Sequence, residues 1–179
     1  MQMLRREHNN TLALLDVLEY QIDLMNEARY YEIIDRIIDY CLSYPDKYHH
    51  PKEDLIYEKL LARDPATAAI VGNLLAEHEQ LAEKTHEVAA SRERPNSEVT
   101  NDSLRRGLGE FVDAYRRHIL TEEQHFFSRS LKLLVDEDWD EIQAQITNGD
   151  DPLFGDRIAE RFQALHTYIH ALDRIDREP

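Results

Sequence analysis

Two histidine–glutamate pairs in this 179-residue chain have the residue types and the spacing of a transition-metal site. His49 precedes Glu53 by four residues, and His118 precedes Glu122 by four. On an α-helix this spacing places the side chains of a pair on one face, about 6 Å apart. Each pair could therefore offer an imidazole nitrogen to one metal ion and a carboxylate to a second. For the first pair, whose segment contains Pro51, a polar turn after a helix break is the competing interpretation.

Two further histidines occupy inward positions of predicted helices. His8 lies one turn before Leu12 on an apolar stripe, and His78 lies between Leu74 and Leu81 on another. Each position is also compatible with a core histidine that a hydrogen bond satisfies. Together with the two pairs, they give four imidazoles and two carboxylates. This donor set suits two iron, manganese or zinc ions that the carboxylates bridge, with an oxo, hydroxo or water bridge between them.

The elements that must position these residues are predicted to be α-helices, because Gly and Pro are few and apolar residues recur at spacings of three and four. The periodicity predicts helices over about residues 2–26, 28–44, 52–62, 65–90, 102–135, 139–147 and 155–176. Asp64 is the predicted N-cap of the fourth segment, Pro45 a bend or break, and 91–100 a loop. The expected fold class is all-α: an up-down four-helix bundle over 1–135, with two additional C-terminal helices over 136–179 packed on it.

Composition narrows the class of partner. The chain carries 36 acidic against 21 basic side chains, a formal charge of -15, and it contains one cysteine, Cys41. A nucleic acid or an anionic membrane needs a basic surface, so neither is expected as a partner. A disulfide framework is excluded by the single cysteine, and no apolar run approaches the ~20 residues of a membrane span. With no signal-peptide pattern at the start, we expect a cytoplasmic protein.

The order of these motifs resembles the hemerythrin-like HHE cation-binding family over about residues 1–135. The resemblance rests on Arg-Glu-His8, on His-His-Pro-Lys-Glu-Asp at 49–54, on Glu77-His78-Glu79, and on His118 to Glu122 followed by Phe126-Phe127. It implies a non-haem di-iron site inside a four-helix bundle. Matched motif by motif, it implies six metal ligands, of which Glu53 and Glu122 would be the bridging carboxylates: His8, His49, Glu53, His78, His118 and Glu122.

Two departures refine this resemblance. Oxygen-carrying hemerythrins have a second histidine one turn after the first in their third helix, where this chain has Ala82. They also have an aspartate where this chain has Glu123, preceded by the better-placed Glu122. The pattern therefore resembles a four-His, two-Glu branch that includes proteins of iron-centre repair and of the response to nitric oxide or oxygen. One imidazole fewer implies an open coordination position, which favours redox reaction or ligand sensing over simple reversible oxygen carriage. The expected small ligand is O2, NO or a peroxide.

Several alternatives stay open from the sequence: a di-iron oxidoreductase, an iron-centre repair or iron-handling protein, a metal-containing regulatory module that acts through a protein partner, or a metal-free helical domain. A ferritin-like site is disfavoured, because its Glu-x-x-His triplets would fall on consecutive helices. The other histidines are expected outside the ligand set: His50, His86, His125, His166 and His170. We expect Glu122→Gln to weaken metal binding and Glu123→Gln to change little.

Overall fold

The protein is all-α in a computed structural model that describes residues 1–24, 28–92, 98–147 and 149–175. The α-helices of these ranges are α1 (Gln2–Asp23), α2 (Ala28–Ser43), α3 (His50–Arg63), α4 (Ala68–Val71), α5 (Leu74–Arg92), α6 (Glu98–Thr121), α7 (Phe127–Leu133), α8 (Asp136–Gln145) and α9 (Gln163–Ile175). Two π-helical turns, Pro45–His49 and Glu122–Phe126, and two 3-10 turns, Pro65–Thr67 and Glu160–Phe162, join some of them. No strand occurs in the described ranges, which confirms the predicted all-α class.

The four longest stretches of helix contact one another in a ring. Helix α1 contacts α2 and α6, and α5 contacts the same two helices. Helix α3 follows α2 after the π turn and contacts α5, α7 and α8, whereas α9 contacts α1 and α2. The ring forms because each helix buries an apolar stripe at spacings of three and four. In α1 this stripe includes Leu4, Leu15, Leu18 and Ile22, each buried, and burial of such a side chain contributes about 1.5–3 kcal/mol.

The apolar interior consists of two clusters. One includes Leu14, Leu81 and Tyr115 and also takes in Leu165 of α9. The other includes Leu4, Leu74 and Phe126 and also takes in Ile142 of α8. Along α1, α5 and the α6–α7 stretch, a histidine lies between a residue of one cluster and a residue of the other: His8, His78 and His118, respectively. A polar layer therefore separates the two apolar clusters.

The helix predicted over 65–90 is divided in two. Asp64 acts as the predicted cap, since its carboxylate accepts a hydrogen bond from the Ala66 N–H. The segment that it caps is a 3-10 turn followed by the four-residue α4, and Gly72 ends α4 with φ of 86°. A positive φ favours glycine because no Cβ clashes there. The longer helix α5 therefore begins only at Leu74.

Three further helices differ from the prediction at one or both ends. The helix predicted over 102–135 begins at Glu98, passes through the π turn and ends at Leu133. The one predicted over 139–147 begins at Asp136, since Asp138 accepts a hydrogen bond from the Val135 N–H. The last helix begins at Gln163 instead of 155, after a segment in which Asp151 caps two backbone N–H groups. Of the loop predicted at 91–100, residues 93–97 lie outside the described residues, whereas 91–92 and 98–100 are helical. The predicted end of the first helix at 25–26 and the turn residue Asn148 also lie outside the described residues.

No helix in the described ranges combines the length and the apolar character that a membrane crossing requires.

Candidate metal centre

The polar layer is built where two helical stretches contain a π turn. His49 is the last residue of the turn Pro45–His49, and Glu53 follows one turn later in α3. Glu122 is the first residue of the turn Glu122–Phe126, one turn after His118. A π turn adds one residue to a helical turn and is frequent at functional sites. The added residue changes which side chains point inward on the two sides of the turn.

The six residues implied as ligands come together in this layer. Each is at most 6% exposed, and Glu53 and Glu122 are fully buried. The Glu53 carboxylate lies 3.3 Å from Nε2 of His8, 3.2 Å from Nε2 of His49 and 3.6 Å from Nε2 of His78. One carboxylate therefore contacts three imidazoles from three different helical stretches.

Glu122 has the corresponding position on the other side of the layer. Its carboxylate lies 3.1 Å from Nε2 of His8, 3.3 Å from Nε2 of His118 and 3.5 Å from Nε2 of His78. Both carboxylates thus face the same Nε2 atoms of His8 and His78.

These inward atoms lack hydrogen bonds. Nε2 of His8, His78 and His118 and all four carboxylate oxygens of Glu53 and Glu122 are buried without a hydrogen-bond partner among the described residues. A buried polar atom without a partner costs about 1–3 kcal/mol, and a charged one costs more. So many converging lone pairs fit a cation, which they could share. The donor set of this layer therefore fits a metal ion.

Comparison with known proteins agrees with this geometry. A family model described as hemerythrin HHE cation binding domain matches residues 1–130. The chain belongs to this family. No curated protein and no solved structure matches it significantly. The matched residues of this HHE domain extend from α1 into α7, and α8 and α9 follow the match.

Each of the four imidazoles implied as ligands of this HHE domain also has a carboxylate on its outer nitrogen. The Nδ1–H of a histidine donates to that carboxylate, which leaves the Nε2 lone pair directed at the centre. The Nδ1-to-carboxylate distances are 2.9 Å for His8–Glu123, 2.8 Å for His49–Glu7, 2.6 Å for His78–Asp54 and 3.3 Å for His118–Glu77. Such outer carboxylates fix the tautomer and orientation of a metal-binding imidazole.

The sequence did not identify these outer carboxylates, because the partners are far apart along the chain. Glu7 directly precedes His8 but contacts His49, and Glu77 directly precedes His78 but contacts His118. Glu123, at which the sequence predicted that a change would matter little, also contacts His8. One indication of these contacts was present in the sequence: an acidic residue directly precedes both His8 and His78.

Glu7 is held in place by two more side chains. Nζ of Lys52, which is only 3% exposed, lies 3.1 Å from Oε1 of Glu7. The Tyr44 hydroxyl donates to the same oxygen at 2.9 Å. Burial by itself raises the pKa of Glu7, but the hydrogen bond from His49 and the charge of Lys52 outweigh burial and lower it. The HHE domain therefore keeps a carboxylate anion beside His49.

Protons occupy part of the layer when no metal is bound. Burial lowers the pKa of His8, but Glu122 and Glu53 outweigh burial and raise it to about 10. Burial likewise lowers the pKa of His78, but Asp54 and Glu122 raise it to about 10. Burial raises the pKa of Glu53, whereas His49 and His8 hold it well below its usual range. Charged imidazoles thus balance the buried carboxylates, and a metal would have to displace those protons.

The remaining histidines fall into two groups. His86 and His125 are exposed, and on α9 the Nε2 atoms of His166 and His170 lie 3.1 Å apart, away from the layer. His50, in contrast, is buried within it. One potential ligand atom from each of four residues lies within 4.8 Å of the others: His50, Glu53, His78 and His118. His50 is a candidate ligand that sequence reasoning missed.

Proposed function

We propose that this HHE domain binds two non-haem iron ions and reacts with a small ligand, namely O2, NO or a peroxide. In this proposal Glu53 and Glu122 bridge the ions, and each terminal imidazole binds one of them: His8, His49, His78 and His118. The site lies in an up-down four-helix bundle over residues 1–135, and residues 136–179 form an extension packed on it. Iron is the metal that we propose, although the same donors accept manganese or zinc.

The observation that carries the proposal is the convergence of unpartnered buried lone pairs. Three imidazole nitrogens and four carboxylate oxygens meet in one layer without hydrogen bonds among the described residues. A structural network of buried polar groups satisfies its members with one another. Here only the outer nitrogens have such partners, because each lies on a carboxylate. Inner nitrogen and oxygen atoms without hydrogen bonds, surrounded by outer imidazole nitrogens that are hydrogen-bonded, are typical of a metal site.

The clustering of donor atoms supports two ions. His8, His49 and Glu53 form one group whose potential ligand atoms all lie within 4.8 Å of one another. Glu53 is also a member of the second group, with His78 and His118. Sharing of one carboxylate between two imidazole groups supports a bridged pair.

An opening at one edge supports a small reactant. A cleft of about 360 Å³ reaches His118 from the surface, and its lining includes Glu77, Lys84 and Arg117. When bound, two iron ions supply Lewis acidity and one-electron redox chemistry. The chain's own residues orient the imidazoles, hold their Nδ1 protons on carboxylates and exclude bulk water with the two apolar clusters.

The test is metal analysis with spectroscopy. Protein produced with iron supplied and purified anaerobically should contain close to two iron ions per chain, and exposure to O2 or NO should change its absorption and Mössbauer spectra. A matched variant in which both bridging carboxylates become Gln should purify without iron. Wild-type protein that folds but holds no metal, under aerobic and anaerobic conditions alike, would refute the proposal.

A further inference from the structure

We infer that His50 is a fifth imidazole ligand, which makes the two metal positions unequal. One ion is then held by two imidazoles, His8 and His49, and the other by three, His50, His78 and His118. This inference rests on the proposed function and changes it in one respect, because the sequence pattern implied four imidazoles. The distances among the rings, the π turn before His50 and its outer carboxylate each support it.

The five imidazole rings divide into two groups. The rings of His8 and His49 have centroids 5.0 Å apart. The ring of His50 lies 4.3 Å from that of His78, almost parallel to it, and 5.7 Å from that of His118. His78 and His118 are themselves 4.8 Å apart. The ring nearest to His50 is thus that of His78 in the second group, whereas the ring of its chain neighbour His49 is 5.5 Å away.

The π turn explains how two consecutive histidines both reach the layer. In a regular α-helix successive side chains diverge by about 100° around the axis, so one of two neighbours points away from a shared site. Here the N–H of His50 bonds to the carbonyl of Pro45, five residues earlier, and α3 begins at His50. With this widened turn His49 and His50 are both buried, at 6% and 4% exposure.

The Nδ1 side of His50 also faces a carboxylate, although at ion-pair distance and not in a hydrogen bond. Its Nδ1 lies 3.2 Å from Oδ1 of Asp46, one turn earlier. A carboxylate at Nδ1 leaves Nε2 as the ligating atom.

The inference predicts where a small ligand binds. The position held by His50, His78 and His118 would offer three imidazole nitrogens and two carboxylate oxygens to its ion. The ion held by His8 and His49 has one nitrogen fewer and keeps an open position. A reactant that enters by the cleft beside His118 would then have to pass the filled position to reach the open one at His8 and His49.

The experiment compares His50→Ala with wild-type protein and with His125→Ala, a control at an exposed histidine. Each protein is titrated with Co2+, and binding is followed by visible absorption and by metal-to-protein ratio. We expect His50→Ala to bind one ion with wild-type affinity and the second at least about tenfold more weakly, since loss of even an indirect contact to a metal ligand costs about 10–100-fold. His125→Ala should match wild-type protein.

A second measurement needs no variant. In Co2+-loaded wild-type protein, each ligating imidazole gives one hyperfine-shifted, solvent-exchangeable Nδ1–H signal in the proton NMR spectrum. Five such signals support the inference, and four overturn it. Unchanged Co2+ affinity and absorption in His50→Ala would also overturn it while leaving the proposed function intact. Wild-type protein that binds no metal would overturn both.

Discussion

Oε2 of Glu7 lies 2.8 Å from Nδ1 of His49, 42 residues away in the chain, whereas the imidazole next to Glu7 belongs to His8. The same crossing occurs between Glu77 and His118, because Glu77 precedes His78 in α5 but contacts the imidazole of α6. Each of these carboxylates therefore ties the helix that supplies it to a neighbouring one. Orientation of an imidazole in one helix depends on the packing of another.

Glu7→Gln is expected to weaken metal binding about 10–100-fold, the usual effect of removing an outer partner of a metal ligand. The amide no longer provides the anion that stabilises the Nδ1–H of His49. Competition with a chelator of known affinity measures the change. Glu83→Gln, at an exposed position of α5, is the matched control and should leave the affinity unchanged. Equal affinities of Glu7→Gln and wild-type protein would contradict this role of Glu7.

Glu122→Gln and Glu123→Gln are expected to differ in kind. Glu122 faces the centre with both oxygens, so its loss should reduce the metal content of the purified protein. Glu123 contacts Nδ1 of His8 from outside, so its loss should keep both ions but lower their affinity by about 10–100-fold. Metal-to-protein ratios and chelator competition separate the two effects. Equal metal content and equal metal affinity in the two variants would contradict the assignment of Glu122 as a metal ligand and of Glu123 as an outer partner of His8.

The metal-free protein is expected to be most stable in mildly acidic solution. The pKa of His8 and of His78 is raised from 6.5 to about 10, so their stabilising contribution is complete below pH 6.5 and is lost as pH rises toward 10. The pKa of Glu53 is lowered from 4.5, so its contribution is present above pH 4.5 and is lost in stronger acid. Urea unfolding of metal-free protein at pH 5.5, 8 and 10 should give a free energy of unfolding that falls with rising pH. The decrease should be complete near pH ~10, where both imidazoles have lost their protons.

Metal binding is expected to release protons near neutral pH, because ligation requires the uncharged form of His8 and His78. The apparent affinity for a divalent ion should then rise with pH between 6.5 and about 10. Calorimetric titrations in buffers of different ionisation enthalpy count the released protons. A binding enthalpy that is the same in every buffer would mean that these imidazoles are already uncharged.

Gly155→Ala is expected to lower the free energy of unfolding by about 1–3 kcal/mol, the usual cost of overpacking. A Cβ at this position would overlap the backbone carbonyl oxygen of Asp151, which also accepts a hydrogen bond from the Gly155 N–H. Gly107→Ala in α6 is the matched control, since a Cβ there meets nothing within 4 Å among the described residues. That control should raise stability by about 0.5–1 kcal/mol, because alanine favours helix more than glycine does. Chemical denaturation of both variants gives the comparison.

Periodicity predicted most of the helices, because burial of an apolar stripe such as Leu15, Leu18 and Ile22 is a local pattern that the sequence displays directly. It did not predict the break at Gly72, since helices tolerate single glycines and only the backbone conformation shows which of them ends a helix. The predicted start of the last helix was also wrong. The capping of backbone N–H groups by Asp151 keeps the preceding segment irregular, and hydrogen bonds of this kind leave no periodic signal.

The inner residues of the candidate site could be predicted because pairs such as His118 and Glu122 lie within one helical stretch. The outer carboxylates could not, because their partners belong to other helices and depend on register between elements. His50 was missed for a third reason. Regular α-helical geometry separates neighbouring side chains, and the π turn that overrides this geometry has no reliable sequence signature.

The polar layer between the two apolar clusters divides the interior into two half-cores, one in contact with α9 and the other with α8. What joins the half-cores at their centre is coordination or ion pairing, not apolar contact. A bound metal would link the two half-cores at this layer. Its removal would leave only the ion pairs among the buried histidines and glutamates to join them. We therefore expect bound metal to couple the unfolding of the two half-cores more strongly than the ion pairs of the metal-free layer do.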